Sequence, residues 1–595
     1  MLDRFSAATQ QWFTESFPAV TAVQAQGWPA IADGHHTLLF APTGSGKTLA
    51  AFLACLDRLA LDGPPEEPGV RVLYISPLKA LVNDVQRNLE RPRLGIARAA
   101  QARGESLYTP TVSVRTGDTS SAQRRRLQRE PPDVLCTTPE SLFLLLGSGQ
   151  RELLRSVQTV ILDEIHVLAS SKRGVHLALS LERLAELTDV EPQRIGLSAT
   201  QRPLERVAAF LGGGRDVVTI DTSEPPRLDL LVTAPQLAGE RRSLPEGSGG
   251  GQRQTAPSVK PALHAQIVQW IREHTSTLVF VGSRLACEQM VQALNELAGE
   301  ELVYAHHGSV ALAQRTLLEG QLKRGEVRAL VATSSLELGI DMGAIDLVVM
   351  VGSPGSVASG LQRIGRAGHG VGQTSRGMLV PKWPGDVLES AAIAERMVAG
   401  QIETTAVPEL CLDVLAQHVV SAVSVEPQSV EDVLRWARRA YPYRALSAAA
   451  LGSVLDMLSG RLSLEALPQL RPLVVWDRET GELRGRRGAG TLALLNAGTI
   501  PDRGVYGVFA GQGGPRVGEL DEEMVFESRP GDVVVLGASS WRIEAITRDQ
   551  VWVAPILRTN PRYFAVPSRY GGRGTTGTQQ NRTSPAHRAR RIGFP

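Results

Sequence analysis

Positions 41–48 have the composition and spacing of a phosphate-binding loop. They read Ala-Pro-Thr-Gly-Ser-Gly-Lys-Thr, after an apolar run at 37–40 and before a helix-patterned stretch. Small residues let backbone N–H groups close around a phosphate at a helix N-terminus, where the helix dipole favours anions. Lys47 then reaches the β- and γ-phosphates, and the Thr48 hydroxyl offers an oxygen to Mg²⁺. The residues that we assign to ATP in this loop are Thr43, Gly44, Ser45, Gly46, Lys47 and Thr48, with Ala41 as a mild departure from the usual first glycine.

Two adjacent carboxylates complete a candidate hydrolytic site. Asp163 and Glu164 follow the apolar run at 159–162, which has the pattern of a buried strand. Asp163 is suited to hold Mg²⁺ through water, and Glu164 is suited to position and polarise the water that attacks the γ-phosphate. Together with the phosphate-binding loop, these carboxylates predict an enzyme that hydrolyses ATP with Mg²⁺.

Other polar residues near these elements have candidate supporting roles. Gln24 precedes the loop, and its primary amide can both donate and accept hydrogen bonds at the adenine edge. His166 has two interpretations: a satisfied polar residue below the site, or a link to the strand that follows. We favour the link, in which the hydroxyls of Ser198 and Thr200 report the nucleotide state to the other domain.

A second alternating stretch, beginning near residue 277, has no phosphate-binding loop but supplies two arginines. Positions 362–369 read Gln-Arg-Ile-Gly-Arg-Ala-Gly-His. Arg363 and Arg366 are three residues apart on a predicted helical turn, so we expect them to face the same way. With Gln362, they are suited to act on ATP held by the first domain, as arginine fingers do. The alternative is an ordinary basic helix.

Short apolar runs with polar tips recur in both halves of the chain. In an open parallel sheet, ligands bind beyond the carboxyl ends of the strands, so we expect these tips to share one edge. Hydroxyls, backbone amides and basic side chains at such an edge suit the oxygens of a nucleic-acid backbone. The residues that we assign to this track are Pro77, Lys79, Arg115, Gly117 and Thr138 in the first half, and Ser283, Arg284 and Thr333 in the second. Trp541 has two interpretations, a core indole and a base-stacking platform.

Composition excludes several classes of protein. The 595 residues are 43% hydrophobic and 21% charged, which is typical of a globular protein, and no long uncharged apolar run predicts a membrane span. The four cysteines are far apart and lack metal-ligand spacing, and the N-terminus lacks the pattern of a signal peptide. We therefore expect a cytoplasmic protein. Because the net charge is only +2, nucleic acid would bind in local grooves.

The order of the motifs resembles the core of superfamily-two helicases. Over residues 12–370 it runs from the phosphate-binding loop to the arginine motif, by way of Thr-Pro-Glu at 138–140 and Ser-Ala-Thr at 198–200. More specific runs resemble the Lhr (large helicase-related) family, and they lie at 28–31, 74–81, 333–341, 412–417, 441–443, 471–472, 476–478 and 537–543. In the run 333–341 we assign Gly339 and Asp341 to ATP.

This resemblance implies an ATP-dependent translocase that moves 3′ to 5′ on single-stranded DNA. It also implies unwinding of duplexes, RNA:DNA hybrids among them, in DNA repair. Two departures bear on the strand contacts: Gly282 stands where such proteins usually carry Asn, and the run at 408–411 is looser than usual. Neither departure touches ATP hydrolysis.

The predicted fold class is α/β, with two tandem RecA-like parallel-sheet domains followed by a helical winged-helix domain and a partial β-rich domain. The predicted divisions are a first RecA-like domain at 1–237, a linker at 238–260, a second RecA-like domain at 261–388, a winged-helix domain at 389–468, a β-rich domain at 469–555 and a basic tail at 556–595.

The last segment leaves alternatives open. From Ile556 the chain is rich in Arg, Gly, Thr and Gln, a composition that cannot bury a core. We expect a chain truncated inside its β-rich domain, with a basic tail that grips nucleic acid as the alternative. Two rival functions follow: an RNA-remodelling helicase, and a truncated remnant that binds strands without coupling hydrolysis to movement. Nothing in the sequence identifies a protein partner.

Overall fold

The structure, a computed structural model, describes residues 2–42, 44–199, 202–223, 227–233, 260–337, 345–368, 374–461, 471–500, 505–536, 539–547 and 550–556. Four assigned site residues therefore lie outside the described residues: Thr43, Thr200, Gly339 and Asp341. The predicted linker, apart from residue 260, and the predicted tail after residue 556 also lie outside them.

The first sheet is parallel throughout, with the strand order β3-β4-β2-β5-β6-β1-β7. Its strands are β1 His36–Phe40, β2 Val72–Ile75, β3 Val112–Arg115, β4 Val134–Thr137, β5 Thr159–Leu162, β6 Gln193–Ser198 and β7 Val217–Asp221. The accompanying helices are α1 Ala7–Ser16, α2 Ala22–Ala32, α3 Lys47–Asp62, α4 Lys79–Ala102, α5 Ser121–Arg129, α6 Pro139–Leu146, α7 Ile165–Ala169, α8 Lys172–Leu187 and α9 Leu204–Gly212. Apolar cores form against the sheet and bury its central strands completely, as in doubly covered parallel sheets. Because the strands are parallel, their carboxyl ends meet at one edge of the sheet.

The second sheet is also parallel, with the order β10-β11-β9-β12-β13-β8. Its strands are β8 Leu228–Val232, β9 Thr277–Phe280, β10 Val303–His306, β11 Ala329–Ala332, β12 Leu347–Val351 and β13 Ser375–Val380. Its helices are α10 Lys260–Glu273, α11 Arg284–Ala298, α12 Leu312–Lys323, α13 Val357–Ile364 and α14 Pro384–Val398, with a short 3₁₀ turn at Ser334–Leu336. Strand β8 lies before the predicted linker, yet it pairs with β13 and so belongs to this second sheet.

Three helices, α15 Leu412–Val423, α16 Val430–Arg439 and α17 Ala448–Ser459, pack with a small antiparallel sheet of order β14-β16-β15. Its strands are β14 Gln428–Ser429, β15 Val474–Trp476 and β16 Glu482–Gly485. This sheet crosses the predicted border between the winged-helix and β-rich domains at 468/469. Helix α18, Ala489–Leu495, packs on α15.

A further sheet of order β18-β17-β21-β20-β19 follows. Its elements are β17 Val505–Ala510, β18 Arg516–Asp521, α19 Glu522–Glu527, β19 Val533–Leu536, β20 Ser539–Ile546 and β21 Gln550–Pro555. Leu285 of α11 joins its apolar core, so this sheet rests on the second parallel-sheet domain. The predicted fold class is confirmed, whereas the exact domain bounds stay a prediction.

The cysteines are free thiols in their described positions. Burial raises the pKa of the Cys55 thiol to about 11 and that of Cys136 to about 12, which is typical of inert core thiols. Within the described part of the chain, no helix has the length and apolarity that crossing a membrane requires.

A buried ion network joins the winged-helix domain to the first domain. The Glu182 carboxylate, 1% exposed, is 2.9 Å from Arg194 Nη1, 3.0 Å from Arg215 Nη2 and 3.3 Å from Arg439 Nε of α16. Burial alone would raise the pKa of Glu182, but the charges of Arg194 and Arg215 outweigh it and lower that pKa. Its contribution to stability is therefore present above the unfolded pKa of about 4.3 and is lost as the pH falls through the lower folded value.

We expect Glu182→Ala to destabilise the protein by about 3–5 kcal/mol, because it leaves the guanidinium of Arg194 buried without its carboxylate partner. Glu191→Ala is the matched control. Glu191 bonds the same Arg215 and Arg439, but its side chain is 45% exposed, so its loss should cost less than about 1 kcal/mol. Denaturant unfolding of both variants measures the two losses of stability. Equal shifts of the unfolding midpoint would show that Glu182 stabilises the protein no more than Glu191 does.

Candidate active site

The phosphate-binding loop joins β1 to α3, and its geometry depends on glycine. Gly44 and Gly46 have φ angles of 80° and 85°, in the left-handed region that other residues rarely adopt. A β-carbon at Gly46 would also lie only 2.7 Å from Nε2 of Gln24, so another residue there would displace the end of that side chain. Helix α3 begins at Lys47, immediately after this turn. The predicted strand, turn and helix are all present.

Lys47 points back into the loop. Its Nζ donates hydrogen bonds to the carbonyl oxygens of Ala41 at 2.5 Å and Pro42 at 2.7 Å. Burial lowers the pKa of Lys47 to about 8, while the charges of Glu164 and Asp163 act in the opposite direction. The ammonium group therefore sits in a poorly solvated place, where it interacts with both candidate carboxylates.

Asp163 and Glu164 lie at the carboxyl end of β5. The Tyr74 hydroxyl donates to Asp163 Oδ2 at 2.5 Å, and the Glu164 amide donates to Oδ1 at 2.8 Å. Burial, followed by the charge of Glu164, raises the pKa of Asp163 to about 6. Glu164 has a φ of 46°, an uncommon conformation for a residue other than glycine, and burial raises the pKa of its carboxyl group. Tyr74 was missed from the sequence, because a tyrosine within an apolar strand has the pattern of a core residue.

The polar atoms around the loop fit a bound nucleotide. The Ser45 hydroxyl is buried and has no hydrogen-bond partner among the described residues. It is therefore suited to donate a hydrogen bond to a phosphate oxygen. Gln24 is 3% exposed, and its Oε1 accepts a hydrogen bond from the amide of Thr21 at 3.0 Å. Thr48 is half-buried in the first turn of α3. These residues supply hydrogen-bond donors for ATP and, in the Thr48 hydroxyl, an oxygen ligand for Mg²⁺.

His166 connects the first domain to the second. Its Nε2 lies 2.8 Å from Nε2 of Gln362 on α13, and its Nδ1 lies 3.4 Å from Oγ of Ser198. Burial lowers the pKa of His166 to about 4, so the ring is neutral at pH 7. The Gln362 amide then donates to Nε2, which leaves the ring proton on Nδ1, at 3.4 Å from both Ser198 Oγ and Glu164 Oε2. The sequence predicted only a link from His166 to the next strand, and the contact with Gln362 in the second domain is additional.

The two arginines lie in different local structure, because only Arg363 is within α13. Helix α13 ends at Ile364, so Arg366 lies in the turn beyond it, whereas Arg363 lies on the helix. Arg363 Nε donates to Glu337 Oε1 at 2.5 Å within the second domain, and its guanidinium lies 5.4 Å from the ring centre of Phe280. Arg366 is buried, and its charge lowers the pKa of both Glu164 and Lys47. The structure therefore brings Gln362 and Arg366 close to the first domain's site, whereas the contacts described for Arg363 are with Glu337 and Phe280 of its own domain.

The first domain's candidate nucleic-acid residues share the expected edge of the sheet. Lys79 Nζ lies 2.7 Å from Asp118 Oδ1, and it would be 3.3 Å from a β-carbon at Gly117. The carbonyl of Pro77 accepts from Arg173 Nη1 at 2.5 Å. Thr138 immediately precedes α6, and its hydroxyl donates to Ser141 Oγ at 3.2 Å. These positions follow β2, β3 and β4.

Arg115 is the most unusual member of this edge. It ends β3, is only 8% exposed, and its Nη1 is buried without a hydrogen-bond partner in the described segments. Burial, followed by the charge of Arg124, lowers the pKa of Arg115 to about 10. A buried charge is costly unless it is paired, so an anion bound to this guanidinium would be stabilising.

The second domain's candidate residues lie at the equivalent edge of its sheet. The Ser283 hydroxyl accepts from the Ala286 amide at 3.2 Å and so begins α11. Arg284 Nη1 donates to Ser309 Oγ at 3.3 Å. Thr333 follows β11 and begins the 3₁₀ turn.

Trp541 belongs to neither parallel sheet. It is in β20, opposite Val534 and Pro555, and it packs half-buried against the apolar core of its sheet. The indole therefore contributes to the core and keeps part of its surface open.

Known protein families match the chain along most of its length. The family described as DEAD/DEAH box helicase matches residues 21–207, and the Helicase conserved C-terminal domain matches 260–370. The Large helicase-related protein, winged helix domain, matches 395–562. This last match includes both small sheets, which the sequence had divided between two domains.

Individual proteins are similar as well. The Lhr helicase/probable uracil glycosylase of Mycolicibacterium smegmatis is 48% identical over 592 residues, which cover 93% of this chain and 38% of that protein. The ATP-dependent helicase Lhr-Core of Methanocaldococcus jannaschii is 38% identical, with coverages of 93% and 64%. A solved structure of Mycobacterium smegmatis helicase Lhr bound to ssDNA and AMP-PNP has a TM-score of 0.76 and 47% identity, covering 92% of this chain and 68% of that one. The chain thus spans less than two thirds of the length of both curated relatives.

Proposed function

Because this chain belongs to the Lhr (large helicase-related) family of DEAD/DEAH-type helicases, we propose that it is an ATP-dependent DNA helicase. It moves 3′ to 5′ on single-stranded DNA and unwinds duplexes, RNA:DNA hybrids among them, in cytoplasmic DNA repair. The observation that carries the proposal is the meeting of two domains at one site. Glu164 and His166 of the first domain interact with Arg366 and Gln362 of the second.

ATP hydrolysis is divided among residues of both domains. Lys47 and the loop amides hold the β- and γ-phosphates, and the Ser45 hydroxyl, which has no partner among the described residues, donates to a phosphate oxygen. Thr48 and Asp163 would hold Mg²⁺, which supplies charge neutralisation at the phosphates when bound. Glu164 positions and polarises the attacking water, and Arg366 stabilises the charge that develops in the transition state.

The histidine contact offers a route for coupling hydrolysis to movement. His166 lies two residues after Glu164 in the chain and bonds Gln362, the residue next to Arg363. Any shift of α7 on hydrolysis therefore acts on α13 through a direct hydrogen bond. Arg363 leaves Glu337 for the nucleotide when the domains close, and this exchange would make closure depend on bound ATP.

The nucleic-acid strand runs along the carboxyl edges of the two parallel sheets. The similar Mycobacterium smegmatis helicase in complex with ssDNA supports DNA as the substrate. Lys79, Arg115 and Arg284 supply cations along this path, and the backbone amides near Gly117 add neutral donors. Such contacts read the phosphate backbone, so binding tolerates any sequence.

We expect Arg115→Ala to weaken binding of single-stranded DNA about five- to tenfold and to reduce the magnitude of the salt slope by about one, because one phosphate contact is lost. Arg126→Ala is the control, since that side chain is 79% exposed and already pairs with Glu130. Fluorescence anisotropy at several salt concentrations measures both quantities. Equal effects of the two substitutions would remove Arg115 from the track.

The test of the proposed function is strand separation on tailed duplexes. Two DNA duplexes that differ only in carrying a 3′ or a 5′ single-stranded tail are mixed with the protein and ATP, and RNA:DNA hybrids are compared in parallel. We expect unwinding of the 3′-tailed substrates and none with the Lys47→Ala variant. Unwinding from the 5′ tail would contradict the direction, activity on RNA duplexes alone would favour the RNA-remodelling class, and ATP hydrolysis without unwinding would favour a non-coupling remnant.

A further inference from the structure

An exposed tryptophan stands at the carboxyl edge of the second parallel sheet. Strand β13 ends at Val380, and Lys382 and Trp383 follow before α14 begins. The Trp383 side chain is 60% exposed, an unusual cost for the largest apolar side chain. This position is continuous with the ends of β9 and β12, and the end of β9 carries the assigned residues Ser283 and Arg284.

The turn that carries Trp383 is held firmly in place. Asp386 is 4% exposed, and its Oδ2 accepts from the Lys382 amide at 2.9 Å while its Oδ1 accepts from the Ser353 amide at 3.2 Å. One buried carboxylate thus ties the turn after β13 to the loop after β12. The Trp383 carbonyl also accepts from the Asp386 amide at 3.1 Å. An aromatic ring on such an anchored turn loses little freedom when a ligand stacks on it.

Lys382 places a cation between this ring and the assigned track. Its Nζ lies 6.0 Å from the Trp383 ring centre and would be 3.9 Å from a β-carbon at Gly282. Its Cε would lie 3.0 Å from a β-carbon at Gly352, at the end of β12. The two glycines leave the Lys382 side chain room across the strand ends. The ammonium faces the space that a side chain at position 282 would occupy.

We propose that Trp383 is a stacking platform for a base of single-stranded DNA and that Lys382 binds an adjacent phosphate, extending the track beyond Ser283 and Arg284. This inference rests on the proposed function. A π-face accepts any base, and an ammonium accepts any phosphate, so the pair suits a strand of any sequence. Lys382 would also supply the contact that Gly282 cannot make.

A protein partner is the competing occupant, because Val387 and Leu388 on α14 are also exposed, at 39% and 79%. The position of Trp383 at the strand ends and the cation beside its ring favour nucleic acid. Leu388 is therefore the natural control: it is even more exposed than Trp383, but it lies on the helix and not at the sheet edge.

Binding of labelled single-stranded DNA to four variants tests the proposal. We expect Trp383→Ala to raise the Kd about 5- to 100-fold, while Trp383→Phe retains most of the affinity. Lys382→Ala should reduce the magnitude of the slope of log K against log salt by about one. Leu388→Ala should bind as the unaltered protein does. A scan of oligonucleotides with one abasic site each should find a position that weakens the unaltered protein but not Trp383→Ala.

Each other outcome has a definite meaning. Equal affinity of Trp383→Ala and the unaltered protein for every oligonucleotide would overturn the proposal, as would an equal loss in Leu388→Ala. If Trp383→Ala fails to fold, the test uses Trp383→Phe, Lys382→Ala and the abasic scan of the unaltered protein. The proposal is overturned if no abasic position weakens binding and Lys382→Ala has the salt slope of the unaltered protein. An unaltered protein that binds no single-stranded DNA would overturn the proposed function itself, whereas normal binding with no effect at Trp383 would reject this inference alone.

Discussion

Replacing Lys47 with alanine should lower kcat/KM for nucleic-acid-stimulated ATP hydrolysis by at least about 10³-fold, because a charged donor to two phosphates is lost. In this structure its ammonium donates to carbonyl oxygens of its own loop, at 2.5 and 2.7 Å, and it also interacts with the charges of Glu164 and Asp163. These two hydrogen bonds are local, so we expect the fold to be retained. The substitution also removes a charge that acts to lower the pKa of Asp163 and Glu164, so these carboxyl groups should protonate more readily. Nucleotide affinity should fall together with turnover.

The control for this prediction is Lys323→Ala, which removes an exposed lysine from the last turn of α12. It should hydrolyse ATP within about twofold of the unaltered protein, as expected of a surface change. Steady-state hydrolysis and binding of a labelled ATP analogue compare the two variants. Full residual turnover in Lys47→Ala would show that the phosphate site is misassigned.

Glu164→Gln should separate ATP binding from hydrolysis. A glutamine keeps the shape of the side chain but cannot polarise the attacking water, so kcat should fall about 10²- to 10⁴-fold. Nucleotide affinity should persist or rise, since the substitution removes a negative charge near the phosphates. The charge of Glu164 also raises the pKa of Asp163, so its removal should let Asp163 ionise more readily.

Single-turnover hydrolysis and nucleotide titration of Glu164→Gln measure these two effects, with Lys47→Ala as the contrast that should lose both binding and turnover. Unchanged hydrolysis in Glu164→Gln would assign the water to another residue. Loss of nucleotide binding would show that Glu164 supports the loop and does not act on water.

The sequence predicted the elements whose chemistry is local. The phosphate-binding loop needs left-handed glycines followed at once by a helix, and Gly44, Gly46 and Lys47 occupy those positions within a few residues. The carboxylates after β5 were found for the same reason, because a buried strand that ends in two acids is a short pattern. The parallel sheets followed from alternating strands and helices.

What the sequence missed depends on contacts between distant residues. Tyr74 binds Asp163 across neighbouring strands, and its place in an apolar run concealed this role. Arg363 and Arg366 lie in different local structure because α13 ends between them, a boundary that pattern alone fixes poorly. Likewise, β8 pairs with β13 and β14 pairs with β16, so sheet membership crosses the borders that composition predicted.

We propose that the two parallel-sheet domains form one nucleic-acid-dependent ATP site. The most direct test is steady-state ATP hydrolysis by the unaltered protein with no nucleic acid, with single-stranded DNA and with single-stranded RNA of the same length. We predict weak hydrolysis alone and strong stimulation by DNA. Strong stimulation by RNA alone would contradict the substrate, and hydrolysis that neither strand changes would contradict the coupling of this site to nucleic acid.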